Sequence, residues 1–358
     1  MVWLTILVIL GLLLVLVLAH ELGHFATAKW FGCGVEEFGF GFPPRLVAWK
    51  RGGTVYSLNL LPIGGFVKIK GEDMAEEKPG PNSFGNKLAY QRVIILAAGV
   101  FMNVVAAFVL LTVQAVVGVP TLITDQNAPA TSSQQTYVLE VSPGSPADQA
   151  GVKSLDRIVS IAGVNTPGIA QIQEISQENA GKSVALVLDR SGQEIPVSLE
   201  PRVNPPENEG SMGIALAATG LVKKTWWQAP WAGLQRTWDI TRLTAEQFTI
   251  ITGRLFHGQS VGADVSGPVG IAIYANEATK MGLSYVLEFA ALISLNLAII
   301  NILPFPALDG SRILFVLVEK MRGRKIAGRT EQITHTVGFA LLLLLMVLIT
   351  FKDIRKFF

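Results

Sequence analysis

Long runs of apolar residues dominate the pattern of the chain. Four stretches contain no Lys, Arg, Asp or Glu, namely Val2–Ala19, Val93–Thr124, Phe289–Leu308 and Gln332–Phe351. Each is long enough to supply the roughly 20 residues that a helix needs to cross the hydrocarbon core of a bilayer. Half of the 358 residues are hydrophobic, 16% are charged and the mean hydropathy is +0.44, which excludes an ordinary soluble protein. We therefore predict a polytopic α-helical membrane protein with four transmembrane helices.

The first apolar stretch resembles a secretory signal peptide only in its position. No basic residue precedes it, and no A-x-A-like cleavage site stands before the charged residues at its end. We expect it to remain attached as the first span.

Basic residues set the predicted orientation, because cytoplasmic connections keep an excess of Lys and Arg. The connection between the first and second spans carries Lys29, Arg45, Lys50, Arg51, Lys68, Lys70, Lys78, Lys87 and Arg92. The connection between the third and fourth spans carries Arg312, Lys320, Arg322, Arg324, Lys325 and Arg329. Both connections are predicted to be cytoplasmic. Both termini and the long segment between the second and third spans are then extracytoplasmic.

Alternating apolar and polar residues in the long outer segment predict a separate β-rich domain. Its strands are predicted at Val138–Val141, Arg157–Ile161, Val184–Asp189 and Ile195–Leu199. We assign residues 125–203 to this domain and residues 204–282 to a linker with tryptophans at positions 226, 227, 231 and 238. Interfacial Trp is common in membrane proteins, so the linker is predicted to lie on the membrane surface. A soluble helix packed on the β-rich domain is the alternative.

A second extended region is predicted in the first cytoplasmic connection. Between Thr54 and Lys70, alternating residues around Pro62-Ile-Gly-Gly65 indicate a β-hairpin with the apolar Phe66 near lysines. The residues alone allow an ordinary cytoplasmic hairpin or one that enters the membrane. An exposed edge of this hairpin could pair with an extended peptide.

Charge and cysteine content exclude two further features. The formal net charge is +2, and no basic run lies beside interleaved aromatic residues, so nucleic acid is not an expected partner. Cys33 is the only cysteine, and the chain therefore has no intrachain disulfide.

The residues that carry chemistry stand at the end of the first apolar run, in His20-Glu21-Leu-Gly-His24. Side chains four residues apart share one face of a helix, so both histidines can offer a ring nitrogen to one Zn²⁺. Glu21 can take a proton from zinc-bound water and deliver it to the departing amine, which is the chemistry of peptide hydrolysis. Ionisable residues at membrane depth cost at least about 2.5 kcal/mol each, which disfavours a purely structural role for three of them on one turn.

A catalytic zinc needs a third protein ligand, and Asp309 is the best candidate. It follows the third apolar stretch directly, where an unpaired carboxylate would be costly. The first and third spans both run from outside to inside, so Asp309 and the two histidines are predicted at equal depth. Pro304 and Pro306 forbid a continuous helix before Asp309, which indicates a cavity lined by protein or water. The remaining histidines, His257 and His335, are expected to be structural or solvated.

These motifs resemble those of the site-2 protease family of intramembrane zinc metalloproteases, and more closely its bacterial branch of sigma-E regulators. The resemblance rests on His-Glu-Leu-Gly-His at 20–24 and on Asn-x-x-Pro-x-Pro-x-Leu-Asp-Gly at 301–310. Three further blocks follow in family order: Pro62-Ile-Gly-Gly-Phe-Val-Lys68, Gly99-Val-Phe-Met-Asn103 and Gly267-Pro-Val-Gly-Ile-Ala272. Many relatives follow the aspartate with Gly-Gly-His, whereas this chain has Gly310-Ser311-Arg312, so the neighbouring packing is expected to differ.

The resemblance implies a role for each candidate residue. His20, His24 and Asp309 would bind one Zn²⁺ per chain, and Glu21 would be the general base. Substrate contacts are expected from Asn301, Pro304 and Pro306 in the second motif and from Gly64, Gly65 and Phe66 in the hairpin, which re-enters the membrane in similar proteins. Asn103 in the second span has two interpretations of similar weight, helix packing and contact with substrate.

The outer domain resembles a PDZ domain of the bacterial protease type. The resemblance rests on Ser142-Pro-Gly-Ser-Pro-Ala147, Ala150-Gly-Val152, Asp156-Arg-Ile158 and Gly163, and one copy is present. Leu155 stands where such domains usually have glycine, so the local turn is expected to differ. A PDZ domain would bind peptide C-termini or extended segments by strand addition.

Together these features predict a zinc endopeptidase that cuts within or near the transmembrane segments of single-span membrane proteins, such as anti-sigma factors or remnant signal peptides. The resemblance places it in the bacterial inner membrane, with its active site near the cytoplasmic side. A non-catalytic PDZ adaptor is the alternative, which the intact Glu21 disfavours. A zinc transporter would leave Glu21 and the PDZ domain without a role.

Overall fold

The computed structural model describes residues 2–72, 80–123, 131–166, 168–190, 192–206, 209–258 and 266–357. Lys78 of the first basic connection and the boundary at residues 124–125 lie outside this part of the chain. The helices are α1 Val2–Trp30, α2 Ala89–Val117, α3 Pro146–Gln149, α4 Ile169–Glu178, α5 Ala229–Phe256, α6 Pro268–Met281, α7 Leu283–Ile302, α8 Asp309–Arg322 and α9 Gly328–Phe357. The strands are β1 Val35–Arg51, β2 Thr54–Ile69, β3 Val119–Leu122, β4 Thr131–Val141, β5 Arg157–Ile161, β6 Val164–Asn165, β7 Val184–Arg190, β8 Gln193–Leu199 and β9 Ile214–Val222.

Within the described residues, four helical segments are long and apolar enough to cross a membrane, which agrees with the predicted number of spans. They cover Leu10–Trp30, Ala89–Val117, Leu283–Ile302 and Gly328–Lys356. α1 continues well past Ala19, so the His-Glu-x-x-His motif lies on a helix, as its spacing requires. α7 ends before the predicted Leu308, because the prolines at 304 and 306 cannot continue the helical hydrogen bonds.

The membrane-spanning helices and the first sheet belong to one compact unit, residues 1–112, 233–279 and 286–358, which we call the transmembrane unit. Ala107 and Leu111 of α2 form a fully buried cluster with Ala291 and Leu295 of α7. The small alanines allow the two helices to approach closely, as is typical of helix packing in membranes.

α5 packs on the membrane-spanning helices. A Cβ added to Gly233 would overlap Thr112 of α2, and Ile240 packs against the cluster between α2 and α7. The tryptophans at 226, 227, 231 and 238 are all exposed. α5 thus packs on α2 within the transmembrane unit, and its place on the membrane surface stays a prediction.

A second buried cluster joins the end of α1 to the first sheet, α2 and α8. Its members are Ala28, Cys33, Val35, Ile69, Phe84, Ile95, Leu96 and Val316. Arg92 of α2 stacks over the ring of Phe84 and places Nη1 2.6 Å from Oε2 of Glu319 in α8. Both charged side chains are under 10% exposed, at 8% and 6%. This ion pair fixes the beginning of α2 against α8.

β1 and β2 form an antiparallel sheet that differs from the predicted hairpin. The tight reversal lies at residues 52–53, so that Arg51 pairs with Thr54. Phe38–Phe40 of β1 pairs with residues 56–58 of β2 and also with residues 65–67. The hairpin predicted within 54–70 is therefore wrong in its pairing, because its two arms pair with β1 and not with each other. Alternation shows which residues share a face of a strand but not which strand lies beside it.

The second compact unit, residues 113–232 with 280–285, is built on a seven-stranded sheet and is called the β domain below. The strand order is β3-β9-β4-β5-β7-β8, and β6 pairs with β5. The four predicted strands lie within β4, β5, β7 and β8. The sheet extends beyond the predicted boundary at 203, because β9 pairs with β4 from Ile214 to Val222. Its Ala and Gly residues have weak strand propensity, so the sequence pattern does not reveal it.

The turn before β5 shows how the β domain accommodates Leu155 in place of glycine. Leu155 has a φ of 71°, in the left-handed region, and is 77% exposed. Asp156 beside it is buried, accepts a hydrogen bond of 2.8 Å from the backbone N–H of Lys153 and pairs with Arg190. The turn therefore keeps the left-handed backbone conformation that glycine would adopt, and Leu155 adopts it with some strain.

Candidate active site

α1 places both histidines of the motif on one face. The Nε2 atoms of His20 and His24 are 3.1 Å apart, and the residues are 9% and 8% exposed. The Nδ1 atom of His24 lies 2.9 Å from the carbonyl oxygen of Ile95, and Nδ1 of His20 lies 3.2 Å from the side-chain amide of Asn103. Each imidazole thus turns one nitrogen towards the other histidine and its second nitrogen towards α2.

Two glycines allow α1 and α2 to approach at this level. A Cβ added to Gly99 would overlap Nε2 of His24, and a Cβ added to Gly23 would overlap the carbonyl oxygen of Ala98. Gly99 is therefore a packing residue in contact with the two histidines. Any larger residue would displace the ring that the motif needs.

The beginning of α8 brings Asp309 to the same point. Its Oδ2 atom lies 3.1 Å from Nε2 of His20 and 3.4 Å from Nε2 of His24. A Cβ added to Gly310 would overlap the carbonyl oxygens of Ile302 and Leu303. The glycine after Asp309 thus lets α8 begin directly against the end of α7.

The turn before Asp309 is held by His335, whose contribution to the site the sequence does not reveal. Ala307 has a φ of 77°, and its N–H donates a hydrogen bond of 3.0 Å to Nδ1 of His335 in α9. Pro306 lies directly against Gly338, one turn further along α9. The structural interpretation of His335 is supported, but a single histidine in an apolar helix gives no local indication of its partner.

His20, His24 and Asp309 form a donor set that suits zinc. Their ligand atoms lie within 4.8 Å of one another, and among the described residues no other group of three His, Cys, Asp or Glu does so. Two imidazole nitrogens and one carboxylate leave an open position at a tetrahedral metal. Burial alone would raise the pKa of Asp309, but hydrogen bonds and charge from the histidines hold it below its usual range. The carboxylate is thus in the ionised form that metals bind.

Glu21 lies beside the donor set and lines a cavity of about 270 Å³. The cavity is also lined by Val17, His20, Asn103, Leu297, Asn301, Ala307, Leu308 and Asp309. Glu21 makes no hydrogen bond with the described residues, so its carboxylate remains available to a molecule in the cavity. Asn301 thus lines the same cavity as the predicted base and two of the predicted ligands.

A second cavity, of about 370 Å³, reaches the same side chains from the direction of β2. Its lining includes the predicted base and ligands together with Phe66, Val67, Lys68, Ile69, Glu72, Ala307 and Arg312. Arg312, at the position where the motif departs from Gly-Gly-His, forms an ion pair with Glu72. The departure has therefore introduced a charged contact between α8 and the residue just beyond β2.

Comparison with known proteins agrees with this geometry. The family model described as peptidase family M50 matches residues 8–345, a range that includes both motifs. The chain belongs to peptidase family M50.

Relatives align over nearly the full length of this M50 chain. A Clostridium perfringens protein assigned as a zinc metalloprotease is 34% identical over 344 residues, which are 95% of each chain. The regulator of sigma-W protease RasP from Bacillus subtilis is 28% identical, and the alignment covers 96% of each chain. The zinc metalloprotease RasP from Oceanobacillus iheyensis is 29% identical, with 96% of this chain and 97% of the relative covered. The M50 chain is a membrane zinc metalloendopeptidase, and Zn²⁺ is its expected cofactor.

The remaining predicted site residues of the M50 chain are three hairpin residues near the cavities and two prolines that line neither cavity. Phe66 lines the second cavity, and a Cβ added to Gly65 would lie 3.6 Å from Cγ of Glu21. Gly64 lies against Phe42 and Val17. The two prolines of the second motif line neither cavity.

Proposed function

We propose that this metalloprotease hydrolyses peptide bonds within or near the transmembrane segments of single-span membrane proteins. The observation that carries the proposal is the convergence of His20, His24 and Asp309, whose ligand atoms lie within 4.8 Å, beside Glu21 on a helix apolar enough to span a membrane. A site built on such a helix acts on substrates that reach it through the bilayer.

In the proposed mechanism His20, His24 and Asp309 hold zinc, and the cavities beside them receive the substrate. When bound, zinc supplies Lewis acidity towards the scissile carbonyl and makes water a nucleophile near neutral pH. Glu21 takes up the proton of the attacking water and transfers it to the departing amine. The amide of Asn301, in the same cavity as Glu21, holds the extended substrate backbone by hydrogen bonds.

Substrate must be extended before it can react, because a helix engages its carbonyl groups in hydrogen bonds to residues four positions further on. We propose that the end of β2 provides the template for this extension. Residues 66–69 line the cavity that reaches the donor set, and residues 65–68 pair with β1. An extended segment can add to such a strand through main-chain hydrogen bonds. Substrates with weak helical propensity should then be cut fastest.

We propose that the β domain is a single extracytoplasmic PDZ domain. The predicted Ser-Pro-Gly-Ser-Pro segment leads into α3, where Ser145 caps the helix by accepting a hydrogen bond from the N–H of Asp148. α4 lies close to the segment that leads into β9, since the hydroxyl of Ser211 donates a hydrogen bond of 2.9 Å to the hydroxyl of Ser176. Among the described residues β3 pairs with β9 at residues 219–222, and the beginning of β9 is where we propose that a peptide C-terminus adds.

The proposed location is the bacterial inner membrane, with the site near its cytoplasmic side. The basic connections support this orientation. The Bacillus subtilis relative is a regulator of sigma-W protease, so membrane-anchored anti-sigma factors are the substrate class we propose, with remnant signal peptides second. A reporter active only outside the cytoplasm, inserted between Lys320 and Arg329, is expected to give no signal. A strong signal would contradict the orientation.

Reconstitution with a single-span substrate tests the activity. Wild-type protein is expected to cut it, whereas Glu21→Gln and chelator-treated wild type should not, and zinc should restore the treated sample. Glu246→Gln, the same change at an exposed carboxylate on α5, serves as the matched control and should cut like wild type. Equal cleavage by wild type and Glu21→Gln would contradict the mechanism. Mass spectrometry of the products locates the cleaved bond. A bond far outside the apolar segment of the substrate would contradict cleavage within or near that segment.

A further inference from the structure

The outer nitrogens of the two histidines face different kinds of group. His24 directs Nδ1 to the carbonyl oxygen of Ile95 at 2.9 Å. A carbonyl oxygen can only accept, so this contact requires the proton of the neutral imidazole on Nδ1 and leaves the lone pair on Nε2. That lone pair points towards His20 and Asp309, where the metal would be held. The backbone of α2 therefore selects the metal-binding tautomer of His24.

Among the described residues, no backbone carbonyl accepts a hydrogen bond from Nδ1 of His20. Its Nδ1 lies 3.2 Å from Nδ2 of Asn103, and its Nε2 lies 3.1 Å from Oδ2 of Asp309. Zinc binding through Nε2 therefore requires the amide to present Oδ1 to the ring in place of Nδ2. An amide can donate through its nitrogen or accept through its oxygen, depending on which end faces the ring. Only the accepting end keeps the proton on Nδ1 and frees Nε2 for a metal.

Asn103 is fixed in position but has no competing partner for its oxygen. The residue is fully buried, and its carbonyl oxygen accepts a hydrogen bond of 2.8 Å from the hydroxyl of Ser294 in α7. Its side-chain Oδ1 has no hydrogen-bond partner among the described residues. The backbone is thus anchored between two helices, while the amide is free to turn its oxygen to His20.

We infer that Asn103 is a positioning residue that selects the zinc-binding tautomer of His20 and fixes the orientation of its ring. This inference rests on the proposed zinc site and deepens it. It assigns to Asn103 a third role beside the two that the sequence suggests, helix packing and substrate contact. The physical reason is that a ligating imidazole binds a metal well only when its other nitrogen donates to an acceptor.

Zinc affinity of the purified full-length protein tests the inference without relying on activity. Apoprotein is titrated with zinc in competition with a chromophoric chelator. Asn103→Leu, which has a similar shape and no acceptor, is expected to bind about 10- to 100-fold more weakly than wild type. Asn103→Asp keeps an accepting oxygen and should bind zinc about 10-fold more tightly than Asn103→Ala. The absorption spectrum of the cobalt-loaded protein should change in Asn103→Leu and not in Asn103→Asp.

Ser294→Ala is the matched control, because it removes the hydrogen bond to the backbone of Asn103 and leaves the amide in place. Its zinc affinity should remain that of wild type. Equal affinity in wild type and Asn103→Leu, or an equal loss in Ser294→Ala and Asn103→Leu, would overturn the inference. If Asn103→Leu does not fold, the comparison of Asn103→Ala with Asn103→Asp decides, and equal affinities there overturn it. Wild-type protein that binds no zinc would instead contradict the proposed function itself.

Discussion

The transmembrane unit and the β domain treat buried polar groups differently. In the transmembrane unit His20, His24 and Asp309 turn their ligand atoms towards one another, within 4.8 Å. In the β domain the buried carboxylate of Asp156 is fully engaged, by the backbone N–H of Lys153 and by two bonds from Arg190. A buried polar residue thus indicates chemistry only where its partners are themselves metal ligands or bases. Asp156, which lacks such partners, holds a turn instead.

The largest difference should follow from changing one aspartate in each region to asparagine. Asp309→Asn removes an anionic zinc ligand, so zinc affinity should fall by more than the roughly 10- to 100-fold that loss of an outer partner causes, and cleavage should be lost. Asp156→Asn should leave zinc content and cleavage unchanged but lower the unfolding temperature. Metal analysis, the cleavage assay and thermal melting of both variants check this. Loss of zinc in Asp156→Asn would break the comparison.

Adding one methyl group near the histidines should have the next largest effect. Gly99→Ala would overlap the ring of His24, so zinc affinity and cleavage should both fall sharply while the chain still inserts into membranes. Gly11→Ala is the matched control, because a Cβ there meets nothing within 4 Å. It should keep wild-type activity and gain about 0.5–1 kcal/mol of helix stability. Activity of Gly99→Ala equal to that of Gly11→Ala would show that α1 and α2 do not need this contact.

Removing the arginine of an ion pair should cost more stability in the transmembrane unit, where the pair is buried, than in the β domain, where it is partly exposed. Arg92→Met leaves Glu319 buried without its partner, so the free energy of unfolding should fall by about 3–5 kcal/mol. The double change Arg92→Met with Glu319→Met should recover most of this loss, because no unpaired charge remains. Denaturant titration of the protein in detergent measures both. A double variant as unstable as the single one would mean that packing, and not charge, is responsible.

The counterpart in the β domain is the partly exposed pair of Arg157 and Asp189. Arg157→Met should lower stability by less than about 1 kcal/mol, because solvent screens the pair. The hydrogen bond from Arg157 lowers the pKa of Asp189, so the contribution is present above the ordinary Asp value and is lost as pH falls through the lower folded value. The difference between wild type and Arg157→Met should therefore shrink only at strongly acidic pH, which melting curves at several pH values can follow.

The smallest effect is expected at the strained turn of the β domain. Leu155 has a positive φ, which disfavours a non-glycine residue by about 1–2 kcal/mol, and its exposed side chain contributes little packing. Leu155→Gly should raise the stability of the β domain by at most about 1 kcal/mol, because glycine loses more entropy on folding. Gly151→Leu, at another positive φ, should destabilise it. Lower stability of Leu155→Gly would show that the leucine packs favourably after all.

The sequence by itself determined the parts of this protein that depend on short-range periodicity. Charge-free runs predicted the four spans, and alternation located the strands within β4, β5, β7 and β8. The spacing of His20 and His24 fixed their common helical face, because 3.6 residues per turn is a property of the backbone alone. Asp309 could be added because two spans of the same direction bring their ends to one side of a bilayer.

Only the tertiary structure decided which distant residues complete these elements. The arms of β2 pair with β1, β9 joins the sheet of the β domain, and His335 supports the turn before Asp309. Asn103 likewise acquires its partner His20 from a helix 83 residues away. Each of these contacts joins segments far apart in the chain, and no local pattern records them. Their selection depends on shape and hydrogen bonding between elements that exist only once the chain has packed.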